Sequence, residues 1–336
     1  MKRCGCAALA ALLCLLAGCV SLPALVATEL RPPAADAPNA FAVQAARVGL
    51  AAAKPLPSRG AFVLPKGLEH GQIVVSENGG AVSLFYSLFA AEYRPWVHAG
   101  ILAIEGGEAV VYEAVGSFVP IPGMAPTTTV SGTLRRVSLE RFAAGKLVVG
   151  VYAPPAAVDR ARLVAFARAH YEAATPFDPF FDLDDPAALY CTELVALALV
   201  AAGHAPIAPT RMHDSRSTQV ARDWLHIRAA RVVLAGQLVE DARPVVRFSP
   251  RLNDDQIAAW FEVKRELHRR FDATPRLGNV FEWRAGGLRL RDAVDRFVAA
   301  GLAAFADSAQ SKTEDVAQRI RSIAAAHFDA SQALRR

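Results

Sequence analysis

The sequence predicts an α+β domain, and three observations carry that expectation. Two apolar runs, 97–104 and 109–115, are joined through Gly106-Gly107, which is a β-hairpin signal. Further strand-like runs flank them at 71–75, 130–137 and 146–152. Helical patterns then follow instead of alternating with the strands, at 156–173, at 191–202 and again beyond residue 250.

In chain order, the strand at 71–75 lies behind the glycine turn at Gly71. Residues 83–93 are apolar and aromatic and predict a helix or a buried lid. The helix at 156–173 is entered after Pro154-Pro155, and the one at 191–202 is closed by Gly203 in a C-cap position. Asn253 and Gln256 have capping-box spacing, and Ile257, Trp260, Phe261, Leu267 and Phe271 mark one apolar face. Residues 290–305 and 311–328 repeat the style, with Ser311 and Glu314 as a second capping box. Residues 204–250 are the least legible stretch.

With 53% apolar and 21% charged residues the chain has ample material for a buried core, which excludes a disordered protein. The formal charge of +5 is mild, and Arg265, Arg269, Arg270, Arg284, Arg289 and Arg291 are interleaved with carboxylates. They read as solvated helix faces, so no nucleic-acid partner is predicted. There is no His-Glu-x-x-His, no serine elbow and no phosphate-binding glycine loop, so neither metal nor cofactor is expected.

The N-terminus reads as an address. Lys2 and Arg3 precede an uncharged apolar run from Cys4 onward, the layout of an export signal. The run reaches Leu16-Ala17-Gly18-Cys19, which resembles the lipobox of bacterial lipoproteins. That resemblance implies cleavage before Cys19, a lipid on its thiol and anchoring to the cell envelope, at the outer membrane facing the periplasm in a Gram-negative cell. Two other readings stay open: an uncleaved membrane helix continuing to Thr28, against which Pro23 argues, and a secretory signal cut elsewhere. Residues 19–66, rich in Ala and Pro, read as anchor and semi-stiff tether, with a short helix over 40–53 behind Asn39. The division is therefore signal 1–18, tether 19–66, a main domain 67–249 and a helical extension 250–336.

Four of the five cysteines, Cys4, Cys6, Cys14 and Cys19, fall in the first nineteen residues, leaving Cys191 alone in the body. A lone body cysteine is a buried thiol or a reactive one. The hairpin supplies a base for the second case. If Gly106-Gly107 is a two-residue loop, paired positions sum to 213, and period-two alternation puts His98 and Glu113 on one face. They become diagonal neighbours roughly 7–8 Å apart, a span that long side chains bridge. Gly100, across from Glu113, leaves room for it. A carboxylate on one imidazole nitrogen fixes the tautomer and frees the other for proton transfer. The plain alternative is a core histidine bonded to backbone, with Glu113 solvated at an edge.

Cys191 opens an apolar helix whose near-continuous hydrophobicity implies burial. A cysteine at a helix N-terminus gains from the dipole and from orphan N–H groups, which favour a thiolate and can hold an oxyanion. Asp185-Pro186 is a competing N-cap and N1 pair, and a helix starting there places Cys191 in its second turn.

The ordered set His98-Ala99-Gly100-Ile101, Tyr112-Glu113-Ala114, Phe177-Asp178 and Tyr190-Cys191-Thr192-Glu193-Leu194 resembles the permuted papain-like amidases of the YiiX/YaeF kind, relatives of the NlpC-type cell-wall peptidases. The resemblance covers about residues 67–203. It implies a circularly permuted papain-like fold, an antiparallel sheet on a central cysteine-bearing helix, with Cys191 as nucleophile, His98 as base and Glu113 as its orienter. Gln72 stands where the family often has an acid, and Thr192 where it has a serine. The implied substrates are envelope peptide or lipid amides. Phe85, Tyr86, Phe89, Trp96 and Tyr190 are candidates for an acyl groove, with plain core packing as the alternative. A non-catalytic binding lipoprotein and a thiol acyltransferase are the rival functions.

Overall fold

The structure, a computed structural model, describes residues 64–118, 130–185, 187–225, 227, 229–284, 287–307 and 313–333. The signal, Cys19, the tether to residue 63 and the proposed Ser311 cap lie outside the described residues.

The chain is a mixed α+β fold around one large sheet. Strands β1 (Gln72–Glu77), β2 (His98–Glu105), β3 (Glu108–Phe118), β4 (Val130–Ser138), β5 (Val148–Ala153) and β8 (Arg243–Phe248) lie in the order β4, β3, β2, β1, β5, β8. Every pairing in it is antiparallel. Glu105 pairs with Glu108 and Ile101 with Tyr112, the register that a two-residue loop dictates. Gly106 and Gly107 take φ 57° and 86°, left-handed values that suit glycine and match the turn to the strand twist.

Both faces of the sheet are covered, which is why β1 is buried along its whole length and its sequence does not alternate. On one face Ile73, Val75, Ala99, Ile101 and Tyr112 meet the helices α1 (Gly80–Phe89), α3 (Arg160–Glu172), α4 (Cys191–Ala201) and α6 (Asp254–Ala273). On the other Val74, Leu102, Val111, Val149 and Val151 pack on Leu139 and Phe142 of the short helix α2 (Leu139–Ala144). Helices α5 (Arg216–Trp224), α7 (Asp292–Ala303) and α8 (Thr313–Ala333) complete the set, with the small ribbons β6 (Thr210–Arg211) with β7 (Arg231–Val232) and β9 (Phe281–Arg284) with β10 (Gly287–Leu290).

The segment after residue 250 shares this core. Trp260, Phe297, Val316 and Ile320 belong to the same buried cluster as Ile73 and Val195. The Asn253 and Gln256 capping box is made, with Gln256 N–H donating to Asn253 Oδ1 at 2.8 Å and Asn253 N–H to Gln256 Oε1 at 3.2 Å.

Two local expectations need correction, and a third point is decided between alternatives. Helix α3 starts behind Asp159, not at Pro154-Pro155, because the Asp159 carboxylate accepts from Ala161 and Arg162 N–H. Helix α4 starts at Cys191 as expected, and the competing Asp185 cap serves a separate turn at Ala187. Nor is α4 buried all round, for Leu197 and Val200 face outward at 41% exposure each.

Candidate active site

His98 and Glu113 meet on adjacent strands. His98 Nε2 and Glu113 Oε2 are 2.5 Å apart, and Glu113 is fully buried. That contact takes one ring nitrogen and leaves the other, Nδ1, for a second partner. Cys191 lies within reach of that ring, since His98 and the Ala99 backbone N–H both act on its thiol and favour the ionised form. The three positions come from three elements: β2 brings His98, β3 brings Glu113, and α4 brings Cys191 at its first residue. A Cβ at Gly100 would meet Tyr112 O and Val111 Cγ1 at 2.8 Å and Glu113 Cβ at 3.4 Å. The glycine therefore admits Val111 and the Tyr112 backbone more than the carboxylate.

Why α4 begins at Cys191 is visible in its cap. Tyr190 is extended, its own N–H donates to Glu193 Oε2 at 3.4 Å, and its carbonyl accepts from Leu194 N–H at 3.0 Å. Tyr190 and Thr192 also clamp one backbone unit, the phenol accepting from Val233 N–H at 3.2 Å and the hydroxyl donating to Val233 O at 2.6 Å. The sulfur thus sits where helix dipole and free N–H groups converge. Phe177 pins the neighbouring turn by lying against Gly116, where a Cβ would fall 2.1 Å from its ring.

The ionisations follow from this setting. Burial pushes the Cys191 thiol up, but the His98 charge, the His98 hydrogen bond, the Ala99 N–H and Lys146 outweigh it, and the net direction is down. Burial and Lys146 pull His98 down, and Cys191 and Glu113 carry it above its ordinary value. Burial also raises Glu113, yet His98, Lys146 and Arg135 hold its carboxyl at about 2. An imidazolium–thiolate pair with an ionised acid behind it is the state these shifts favour.

Two charged residues here escaped the sequence reading. Arg135 pairs across from Glu113 in the β3–β4 register and binds Oε1 through Nε at 2.8 Å and Nη2 at 2.7 Å. An eleven-residue connection, 119–129, leaves that register undetermined from sequence, because only a short turn sets it. Lys146, beside α2, is buried, and its ammonium lies 5.0 Å from the centroid of Phe142, which itself stacks on His98 at 6.0 Å. A lysine at the start of a strand gives no sequence signal for burial.

The five aromatic candidates separate. Phe85, Phe89 and Trp96 are core side chains, with Phe85 against Phe281 and Trp96 against Phe261. Tyr190 is buried as well. Tyr86 alone is open, at 37% exposure, and edges onto Phe181, which edges onto Tyr190. Its phenol is raised to about 12 by burial first and by Cys191 second. The exposure tempers the first cause. Gln72, buried, ties the preceding loop by donating to Gly67 O at 2.9 Å and accepting from Glu69 N–H at 3.0 Å. Opposite His98 on β1, the buried Ser76 hydroxyl has no hydrogen-bond partner among the described residues.

Among the described residues no group of three or more His, Cys, Asp or Glu side chains is arranged to hold a metal ion, and no helix is long and apolar enough to cross a membrane. No family model matches the chain, and no curated protein matches it. One solved structure that does is the metalloprotein yiiX from Escherichia coli O157:H7, at 18% identity over 54% of this chain and 98% of that one, with a TM-score of 0.41.

Proposed function

We propose that this chain is a cysteine hydrolase, an amidase or peptidase on a circularly permuted papain-like fold, held at the bacterial envelope by a lipid on Cys19. The observation that carries the reading is the buried Glu113 carboxylate on the His98 ring, with Cys191, the first residue of α4, among the groups that act on that ring. Metal-free acyl transfer to a thiol needs a nucleophile, a base and an orienter in that order.

The chemistry runs in two halves. Cys191 thiolate attacks the substrate carbonyl carbon, forming a C–S bond and an oxyanion that the Cys191 N–H at the start of α4 can hold. Collapse breaks the C–N bond, and the His98 imidazolium gives its proton to the departing amine. Water, deprotonated by the now neutral His98, attacks the thioester, and Cys191 leaves as thiolate to regenerate the pair. Glu113 keeps the ring oriented throughout, itself held by Arg135. Peptide or lipid amides of the envelope are the proposed substrates, with Tyr86 flanking the acyl group.

The test is formation of the acyl-enzyme. Incubation with a p-nitrophenyl acyl ester should leave the acyl mass on the Cys191 peptide, and Cys191→Ser and His98→Ala should both lose it. Equal acylation of His98→Ala and the native protein overturns the reading. Mass spectrometry of the mature N-terminus tests the anchor separately, where an unacylated terminus contradicts it.

A further inference from the structure

The stretch that is least legible in the sequence is also basic. Between residues 205 and 235 five arginines stand against two aspartates, Asp214 and Asp223. The fold gathers part of this charge at the start of α5. Arg211 of β6 and Arg231 of β7 lie directly opposite each other in their ribbon, and both are exposed. Like charges so placed repel. Two residues beyond Arg211 the chain reaches a groove of about 850 Å³, formed by the first turns of α5 and the turn at 275–278.

The groove has an apolar floor and a cationic rim. Val220, Ala221, Pro275 and Leu277 line it, and Val220, at 60% exposure, is the most exposed large apolar side chain among the described residues. Ser217 ties the two walls together, donating through Oγ to Pro275 O at 2.8 Å and accepting from Leu277 N–H at 3.2 Å. Arg216 stands on the helix wall and Arg276 on the turn, and both are exposed. None of the four guanidinium groups, Arg211, Arg216, Arg231 and Arg276, makes a hydrogen bond or ion pair among the described residues. The carboxylate that lines the groove, Asp214, already accepts from Gln219 Nε2 at 2.5 Å.

Helix α5 adds its dipole. Ser215 Oγ accepts from Thr218 N–H at 3.2 Å, and Gln219 N–H donates to Ser215 O at 2.8 Å. The N–H groups of Arg216 and Ser217 therefore have no acceptor inside the helix. Free cations, free N–H groups and an apolar floor together fit a ligand with an anionic head and a hydrocarbon tail.

We propose that this groove binds an anionic phospholipid of a membrane surface. The headgroup lies at Arg216, Arg276 and the start of α5, and an acyl chain runs along Val220 and Leu277. Arg211 and Arg231 extend the basic face beside it, and the lipid layer supplies the counter-charge that the fold does not. None of Cys191, His98 and Glu113 lines the groove, so the inference stands apart from the hydrolase reading.

The test uses the full chain in dodecyl maltoside micelles, titrated calorimetrically with short-chain lipids against a blank of empty micelles. Dihexanoyl phosphatidylglycerol should bind, and zwitterionic dihexanoyl phosphatidylcholine should bind about tenfold more weakly. Each rim arginine is worth about fivefold, so Arg216→Gln with Arg276→Gln should weaken the anionic lipid by about thirtyfold. Val220→Asn should weaken the lipid and leave glycerol 1-phosphate, which has no chains, unchanged. All three side chains are exposed, so the variants should unfold in urea as the native protein does. Hydrogen exchange places the ligand, with slowing expected in peptides covering 214–221 and 275–278. Equal affinity for the two lipids, or a double arginine variant that binds as the native protein does, overturns the proposal. Tighter binding of a hexaglutamate peptide than of the lipid assigns the groove to an acidic protein partner and overturns it as well.

Discussion

Two buried charge clusters lie one residue apart along β1, and they are finished differently. Glu77 ends the strand, fully buried, and every approach to its carboxylate is filled. Lys264 of α6 binds it at 2.6 Å, Ser83 of α1 donates at 3.1 Å and Trp260 Nε1 at 3.3 Å. Its neighbour Ser76 sits across from His98, where the second cluster begins. There, among the described residues, Lys146 makes no ion pair and the Ser76 hydroxyl is unbonded, and Cys191 is only half-buried. Closure of the first cluster makes it a pin between the sheet and the C-terminal helices. Charge left open in the second makes it responsive to protons and reagents.

The contrast can be broken from the structural side first. Glu77→Ala strands Lys264 and should cost about 3–5 kcal/mol in urea unfolding, since an unpaired buried charge remains. The double change Glu77→Leu with Lys264→Met should recover most of that loss while leaving Cys191 alkylation untouched. A double variant as unstable as the single one breaks the view of Glu77 as a self-contained pin.

Acid unfolding probes the second cluster. Glu113 is held at about 2 in the fold against an ordinary 4.5, so its contribution is complete above 4.5 and disappears as pH falls toward 2. Glu113→Gln should therefore flatten the acid decline in stability by on the order of 3 kcal/mol. An unchanged acid limb contradicts the buried ionised carboxylate.

Glu193 runs the other way. Burial first, then Asp178, Asp182 and Asp185, lift its carboxyl to about 8. A raised folded value means stability complete below 4.5 and lost as pH rises toward 8. Glu193→Gln should remove that loss and gain on the order of 2 kcal/mol at pH 8 relative to its effect near pH 4. Urea titrations at the two pH values check it. The smallest expected effect is at Ser76, where Ala removes an unsatisfied buried hydroxyl and should change stability by no more than about 0.5 kcal/mol.

How much was legible in the sequence follows the same division. The β2–β3 hairpin could be registered because Gly106-Gly107 permits one tight turn, and that register places His98 on the face of Glu113. The capping boxes advertise helix starts through residue type and spacing, as at Asn253. Illegible were the features that need a third dimension. Edge strand β8 carries Pro244 and a bulge between Val151 and Tyr152 of its partner β5, and so has no clean alternation. Trp96, at φ 73° against Phe261, reads as a groove residue until α6 is seen beside it. Arg135 and Lys146 come to the site only through a strand register and a turn that local sequence does not specify.

The central claim is that His98 and Glu113 keep Cys191 ionised at neutral pH, and the thiolate can be watched directly. Ultraviolet absorbance of the thiolate, taken as the difference between the native protein and Cys191→Ser across pH, reports the fraction ionised. The account predicts a transition well below the ordinary cysteine value of about 8.5, moved upward in His98→Ala and less so in Glu113→Gln. A native transition at or above that value, indifferent to His98, contradicts it.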